Sequence, residues 1–281
     1  MVLVAPDDDR ATTVGGVTGA LSTPTRRSWR MRQWPNDPTI AQLVLIDHSA
    51  VPTADELADA VDHARRRGAR AIRTSALFPR AADVVLAAGF ERIDTLSLLA
   101  ADLTSHRVDV GPRPSTYRTT RVRPWQLWEA ADVDRDAFGP LWGNDARSLR
   151  DIHRATPRHR ARQIRVEGSM AAFVIAGAAG DQGYLQRLAV RSERRREGHG
   201  RWLVTDALDW MRASGLGRAL VNTGSANHAA LSLYERCGFR RLDDVLTVAE
   251  LRLTRVVDPW NVARAEADDG FPHDSKDGSR A

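Results

Sequence analysis

Leu188 to Gly200, reading Leu-Ala-Val-Arg-Ser-Glu-Arg-Arg-Arg-Glu-Gly-His-Gly, constrains this chain more than any other stretch. The apolar run from Tyr184 to Val190 reads as a strand. A basic run follows, then two glycines, and then Leu203, Val204, Ala207, Leu208 and Met211 recur at helical spacing. A strand therefore enters a glycine-containing turn that opens onto a helix N-terminus. Free N–H groups and the positive end of the helix dipole suit an anion at such a place. Gly198 and Gly200 are expected to let the backbone approach a bulky phosphate with no Cβ in the way. Arg194, Arg195, Arg196 and Arg201 would add charge-assisted donors around it.

Arg195-x-x-Gly198-x-Gly200 after a strand ending at Val190 resembles the acetyl-CoA pyrophosphate loop of the GCN5-related N-acetyltransferases (GNAT). Downstream, Asn227-His-Ala-Ala230-Leu-Ser-Leu233-Tyr234-Glu235-Arg236-Cys-Gly238-Phe239 is similar to the family's Asn-x-x-Ala…Leu-Tyr-Glu-x-x-Gly-Phe block. The two blocks stand in the family's order, and the resemblance covers about Tyr117 to Thr254. It implies an α/β (α+β) fold with a mixed, mostly antiparallel central sheet flanked by helices. It also implies acetyl-CoA as cosubstrate, no metal, and acetyl transfer to an amine.

Site residues carry over one by one. Arg195, Arg196, Gly198, His199, Gly200 and Arg201 would hold the pyrophosphate, and backbone groups of Leu188, Ala189 and Val190 the pantetheine arm. A main-chain N–H near Leu188 would meet the oxyanion. Asn227 would bond the coenzyme or cap its own helix. Tyr234 corresponds to the tyrosine that often protonates the departing thiolate, for which a phenol with a pKa near ~10 is suited. The turn from Phe138 to Asn144 is where the family usually admits its acceptor, with Phe138 and Trp142 as walls and Asp145 for a cationic amine.

Each position has a plainer reading. Arg194 and Arg196 would also suit a solvated basic turn, and His199 a surface residue at the helix start that donates only its backbone N–H. Ala230, Leu233, Tyr234 and Cys237 form an apolar helical stripe, so Tyr234 also fits a core, and Cys237 reads as packing. Phe138 and Trp142 would equally make a hydrophobic plug between helix and sheet. The chain also departs from well-equipped relatives. Where some place a glutamate on the strand before the loop, this chain has Tyr184, Gln186 and Ala189, and Asn222 stands where N-terminal-alanine acetyltransferases carry a glutamate on the next strand. Deprotonation would then run through water to Asp181 or Glu167, or the amine would arrive partly neutral.

Before this region lies a weaker copy of it. At an offset of 149 residues Gly68 falls on Gly217, Gly89 on Gly238, Phe90 on Phe239 and Asp94 on Asp243. Thr53-x-x-Glu56 predicts a capping box, with a helix running to Gly68, and Pro79 opens another to about Ala88. Ile40 to Ile46, Ala71 to Leu77 and Ile93 to Leu103 predict strands. The loop chemistry is lost, with Ile46, Ser49 and Val51 in place of Arg195, Gly198 and Gly200, and Val85 in place of Tyr234. The expected organisation is a lead over 1–28 without order, a degenerate partial GNAT-like domain over 29–104, a linker over 105–115, a catalytic domain over 116–255 and a mobile tail over 256–281. Within the catalytic domain a helix is expected from Trp125 to Ala137 with Trp128 and Ala131 on one side, a second over Asp145 to Ala155, and two closing strands, Phe239 to Leu242 and Leu246 to Leu253.

Composition narrows the function classes. No apolar run is long enough to span a membrane. The single cysteine, Cys237, excludes an intramolecular disulfide, and the acidic start MVLVAPDDDR does not resemble a secretory signal. A cytoplasmic protein is expected. Net charge is +5 and Lys276 is the only lysine, but acids are interspersed and no basic stripe carries interleaved aromatics, so nucleic acid is not an expected partner. The chain thus reads as an acetyl-CoA-dependent N-acetyltransferase acting on a small-molecule amine or a protein N-terminus, with a homodimer admitted. Two other readings stay open: a non-catalytic acyl-CoA-binding sensor or scaffold, and an acyltransferase for longer acyl chains.

Overall fold

The structure is a computed structural model that describes residues 28–35, 37–46, 50–104 and 118–253. The expectations for the lead, the linker and the tail, the start of the strand at Tyr117, and Ser49 lie outside those residues. The first half contributes β1 (Trp29–Trp34), β2 (Asp37–Leu45), α1 (Ala54–Arg66), β3 (Ala71–Thr74), α2 (Pro79–Ala87) and β4 (Glu91–Asp102). The second contributes β5 (Thr119–Arg121), α3 (Leu127–Trp142), α4 (Ala146–His153), β6 (Arg158–Val166), β7 (Ser169–Ala179), β8 (Gln182–Val190), α5 (His199–Ala213), β9 (Arg218–Gly224), α6 (His228–Arg236) and β10 (Arg240–Arg252). No described helix is long and apolar enough to cross a membrane.

Local chemistry sets the helix ends. The Thr53 side chain accepts from the Glu56 amide while Glu56 accepts from the Thr53 amide, the reciprocal box expected for α1. Pro79 occupies the first turn of α2, where its missing N–H costs nothing. Two features differ from expectation. Trp125 and Trp128 are 66% and 73% exposed, whereas Ala131 is buried. Trp125 sits in a short 3-10 turn ahead of α3, and the buried stripe runs through Leu127, Ala130, Ala131 and Asp134, which puts Trp128 on the opposite side. The two closing strands are one, β10, whose register on β4 slips between Arg241 and Val245 around the Asp243–Asp244 pair. β1 is a strand that the sequence pattern does not announce; its arginines alternate with Trp29 and Met31, which pack toward α1.

All ten described strands form one sheet in the order β1-β2-β3-β10-β4-β9-β8-β7-β6-β5. Only β2–β3 and β8–β9 are parallel neighbours. The last strand of each half is inserted into the other: β10 lies between β3 and β4, and β4 between β10 and β9. The 149-residue offset lays α2 on α6 end for end and starts β4 where β10 starts. The central register obeys the same exchange, since Leu96 faces Leu246 while Ser97 faces Val245. The halves are thus related by an approximate two-fold axis between β4 and β10, and neither completes its sheet without the other.

Helices α1, α2, α5 and α6 cover one face, with Ile72, Leu77, Val85 and Phe90 in one core and Leu99, Leu203, Met211 and Phe239 in the other. On the opposite face α3 and α4 cover only β6–β8, with Leu149, Phe173 and Ile175 beneath them. The middle of that face carries Leu96, Leu98, Leu246, Val248 and Tyr184.

At its C-terminal end α4 rests on β6 through an edge-on ring pair, His153 against His159 at 4.4 Å and 71°. Burial, then the neighbouring charges of His159, Arg121 and Arg154, lower the His153 pKa to about 4. In the unfolded chain the ring titrates near ~6.5. Between these values the unfolded state takes up a proton that the folded state refuses, so stability is full above the upper value and is lost as pH falls toward the lower. Denaturant midpoints should therefore drop over this window in the parent protein, and less steeply in His153→Gln. Parallel profiles would show that His153 does not carry the effect.

Candidate active site

β8 and β9 pair only at Gln182↔Arg218, Gly183↔Ala219 and Tyr184↔Leu220. Beyond that point β8 runs on to Val190 and β9 to Gly224 without meeting again. A bulge marks the parting: Ile175 faces Arg187 but the next residue, Ala176, faces Leu185, leaving Gln186 extra. On its other edge β8 stays joined to β7 as far as Ala172↔Val190. The edge that faces β9 therefore carries backbone donors and acceptors with no strand partner from Leu185 to Val190, which a ligand or water must satisfy. Leu188, Ala189 and Val190 lie in this open part, where an extended arm bearing amides fits. In the first half the corresponding parallel pair is closed. β2 and β3 pair from Ile40↔Ala71 to Leu43↔Thr74, and the Ser75 amide then donates to the Leu43 carbonyl at 2.8 Å.

The loop after β8 is held by its own arginines. The Arg191 Nε donates to the Met170 carbonyl, Arg194 pairs with Glu167 at 2.8 Å, and Arg195 Nη2 donates to the Ala137 carbonyl at 3.1 Å. Asp136 accepts from the Ser192 amide and hydroxyl, and these bonds hold its carboxyl below the usual range. Arg196 and Gly198 both take positive φ, 66° and 85°. Gly198 is the N-cap of α5 and brings no side-chain cap, so first-turn N–H groups stay available for an anion.

The two glycines serve different ends. Gly198 is required by its left-handed backbone. At Gly200 a Cβ would stand 3.1 Å from Leu233 Cδ2, so this glycine lets α5 approach α6 and is not simply a clearance for phosphate. His199 is not a surface residue: it is 1% exposed and its Nε2 lies 3.0 Å from Glu197. The left-handed residues on either side of Glu197 turn the first helical side chain inward.

Asn227 caps α6, its Oδ1 accepting from the Ala230 amide at 3.1 Å. Tyr234 is buried and packs edge-on against Phe239 at 5.7 Å. Burial raises its phenol pKa, with the Arg187 charge acting the other way, so the hydroxyl keeps its proton throughout the physiological range. Cys237 is buried and its thiol is pushed up to about 11, which suits packing and not nucleophilic attack. Of the carboxylates weighed as bases, Asp181 precedes β8 at the closed end of the wedge and accepts from the Gly217 amide, while Glu167 is an exposed partner of Arg194. Asn222 occupies the wedge side of β9, sharing a face with Leu220.

A buried ion pair that sequence reasoning missed organises the acceptor side. Asp134 is 0% exposed and binds Arg187 twice, at 2.6 and 2.7 Å. It also accepts from the Asn144 backbone and side chain, and Arg187 donates to the Trp142 carbonyl at 2.9 Å. The signal is present in the chain: Asp134 falls on the buried stripe of α3, and Arg187 is the one charged residue of a mostly buried strand. The three expected acceptor residues are drawn into this arrangement. The α3 path kinks at Gly139, Phe138 lies under the Arg187 guanidinium with 3.6 Å from Cζ to its ring centre, and Trp142 meets Trp34 of the first half edge-on at 5.6 Å. Asp145 uses one oxygen to cap α4 through the Ser148 amide. Removing the carboxylate in Asp134→Ala would leave a guanidinium buried without its counter-charge, and should destabilise the protein by about 3–5 kcal/mol in equilibrium denaturation; a loss under about 1 kcal/mol would show that the site relaxes or admits water.

Residues 125–239 match the model of the Acetyltransferase (GNAT) family. The [Ribosomal protein bS18]-alanine N-acetyltransferase of Escherichia coli (strain K12) is 34% identical over 77 residues, 27% of this chain and 52% of that protein, and the same protein of Shigella flexneri matches equally. The chain thus spans about half the length of the curated relatives it matches. Among solved structures, a tandem GNAT protein from the clavulanic acid biosynthesis pathway is similar at a TM-score of 0.58 and 14% identity, over 76% of this chain and 75% of that one. A GCN5-related N-acetyltransferase from Sphaerobacter thermophilus gives 0.55 and 11%, over 80% and 76%. At such identities the likeness is one of fold. The loop and the parted strands fall within the stretch, residues 125–239, that matches the GNAT acetyltransferase family model, and the solved structures share the fold.

Proposed function

We propose that this chain is an acetyl-CoA-dependent N-acetyltransferase with one working site, in the wedge between β8 and β9. The open β8 edge beside an α5 N-terminus that lacks a side-chain cap carries the reading. First-turn amides of α5 and the loop arginines hold the pyrophosphate, and the edge from Leu188 to Val190 holds the pantetheine arm by backbone pairing. The amine nitrogen forms its bond to the acetyl carbon while the carbonyl oxygen takes up charge, met by a main-chain N–H of the β8 edge. The carbon–sulfur bond then breaks, the thiolate takes the proton of Tyr234, and the extra proton of the new amide returns through water to the tyrosinate. With Asn222 where a carboxylate would serve as base, the acceptor enters in its neutral form. The acceptor is a small-molecule amine or a protein N-terminus. The name of the bS18-alanine N-acetyltransferase relative supports the second option, and Asn222 argues against direct transfer of that specificity.

One observation favours a second reading, a non-catalytic acyl-CoA-binding module: Gln186 and Asn222 stand at strand positions where relatives carry a carboxylate base. Release of CoA across an amine panel decides between the two. Binding of acetyl-CoA without any release would leave only the binding module.

Calorimetric titration of acetyl-CoA into CoA-stripped protein should give a stoichiometry near one per chain, because the β2–β3 pair is closed; two sites would place a second wedge in the first half. Tyr234→Phe should lower turnover by about a hundredfold or more with acetyl-CoA affinity nearly unchanged, and unchanged turnover would remove Tyr234 from the mechanism. Arg195→Glu should instead weaken acetyl-CoA binding by about tenfold or more.

A further inference from the structure

On the face opposite α5 and α6, a cleft of about 850 Å3 lies between the two halves of the chain. Trp34, Ile40 and Gln42 of the first half form one wall, and Trp142 and Asp145 of the second form the other. Arg187 lines its β8 end, one residue before Leu188 on the open edge of the wedge. The cleft therefore leads to the place where acetyl transfer is proposed. Its volume suits a small molecule or the end of a peptide.

Two buried polar groups beside the cleft have no hydrogen-bond partner among the described residues. Ser75 lines the cleft, is 4% exposed, and its Oγ is unpartnered. Arg73, two residues earlier and so on the same side of the chain, is 6% exposed. Its Nε and Nη2 both donate to Glu250 Oε2, at 2.9 and 2.5 Å, but Nη1 donates to nothing. The guanidinium carbon sits 4.3 Å from the ring centre of Trp34 and 5.5 Å from that of Trp142, two rings in edge-on contact that both line the cleft. Leaving a buried donor unsatisfied is costly, and Ser75 Oγ on the cleft, with Arg73 Nη1 packed behind two cleft-lining indoles, marks where a ligand oxygen belongs. A guanidinium N–H only donates, and a hydroxyl donates as well. An oxyanion, met by both and flanked by two indoles, satisfies the pair.

We infer that the acyl acceptor carries a carboxylate, which Arg73 Nη1 and Ser75 Oγ hold in the cleft while its amine reaches the wedge past Arg187. The acceptor class is then an amino acid or a short peptide with a free carboxyl end. The inference rests on the acetyltransferase reading for the fate of the amine, but not for the binding itself.

The test is calorimetric titration of the full chain, without acyl donor, with two matched pairs: phenylalanine against phenylalaninamide, and alanylphenylalanine against its amide. In at least one pair the free acid should bind about tenfold more tightly than the amide, the effect of a single charge-assisted hydrogen bond. Ser75→Ala, which adds no bulk, should shrink that ratio without changing the thermal midpoint, and Arg73→Lys, which keeps a cation for Glu250 but loses one of its two bonds, should shrink it with a lowered midpoint. Equal binding of acid and amide in both pairs, binding of neither, or a ratio that survives both substitutions overturns the inference. CoA release with the same compounds separates it from the acetyltransferase reading. Discrimination without release leaves the cleft assignment standing and removes acetyl transfer, whereas release with equal KM for acid and amide does the reverse.

Discussion

Asp134 and Arg187 hold the second half of the molecule in its working shape. A carboxylate with no access to water demands full pairing, and here it receives two N–H donors from Arg187 and two from Asn144. Through those bonds one side chain on α3 fixes the bulge of β8, the turn that follows α3 and the start of α4. Arg187 adds the Trp142 carbonyl and the face of Phe138. The pair need not add net stability over an apolar substitute. Its role is geometric, because it ties these donors to one carboxylate across three elements. The bulge lies where β8 turns from β9, so the position of the wedge and the position of the acceptor turn are set by one interaction.

The second constraint is the exchange of strands. β4 is laid against β9, and β10 against β3, so each half is completed by a strand from the other. A single sheet results, and its uncovered face brings Trp34 and Arg73 within reach of Trp142. The Trp34 indole N–H donates to the Leu141 carbonyl and ties the two sides of the cleft. The first half keeps its β2–β3 pair closed and so lacks the parted strands of the second. Loss of the loop chemistry at Ile46 and Val51 goes with loss of the wedge, since strands that remain paired leave no backbone edge for an extended ligand.

Much of the fold and part of the site are legible in the amino-acid sequence. The helix starts at Thr53 and Asn227, the order of elements in the second half and the glycine turn after β8 follow from residues close together in the chain, and the internal copy follows from two such stretches compared. Where the sequence misleads, a distant partner is responsible. Trp128 resembles part of the buried stripe, and Asp134 carries no local mark of its pairing, because the orientation of α3 on β7 decides which side is covered. His199 resembles a surface residue at the helix start because nothing in the local pattern shows that Arg196 and Gly198 turn it inward. β1 is hidden because its arginines mask an alternation whose other side is covered only by α1. Gly200 fits phosphate clearance by its place in the loop, whereas the atom nearest its missing Cβ belongs to Leu233 on another helix.

The division has a physical basis. Caps, turns and amphipathic periods depend on hydrogen bonds and side-chain spacing within a few residues, and these the sequence by itself determined: a strand, an anion-binding turn, a helix, and the tyrosine-bearing helix after it. Pairings that close long loops depend on which surfaces meet once the chain has collapsed. Only the tertiary structure decided that Arg187 finds Asp134 at a separation of 53 residues and Arg73 finds Glu250 at 177. It alone placed β4 and β10 in each other's sheets and left a wedge open on one side and shut on the other. Burial turns each of those distant choices into an obligation, because a buried charge or backbone group must find its partner wherever in the chain that partner lies.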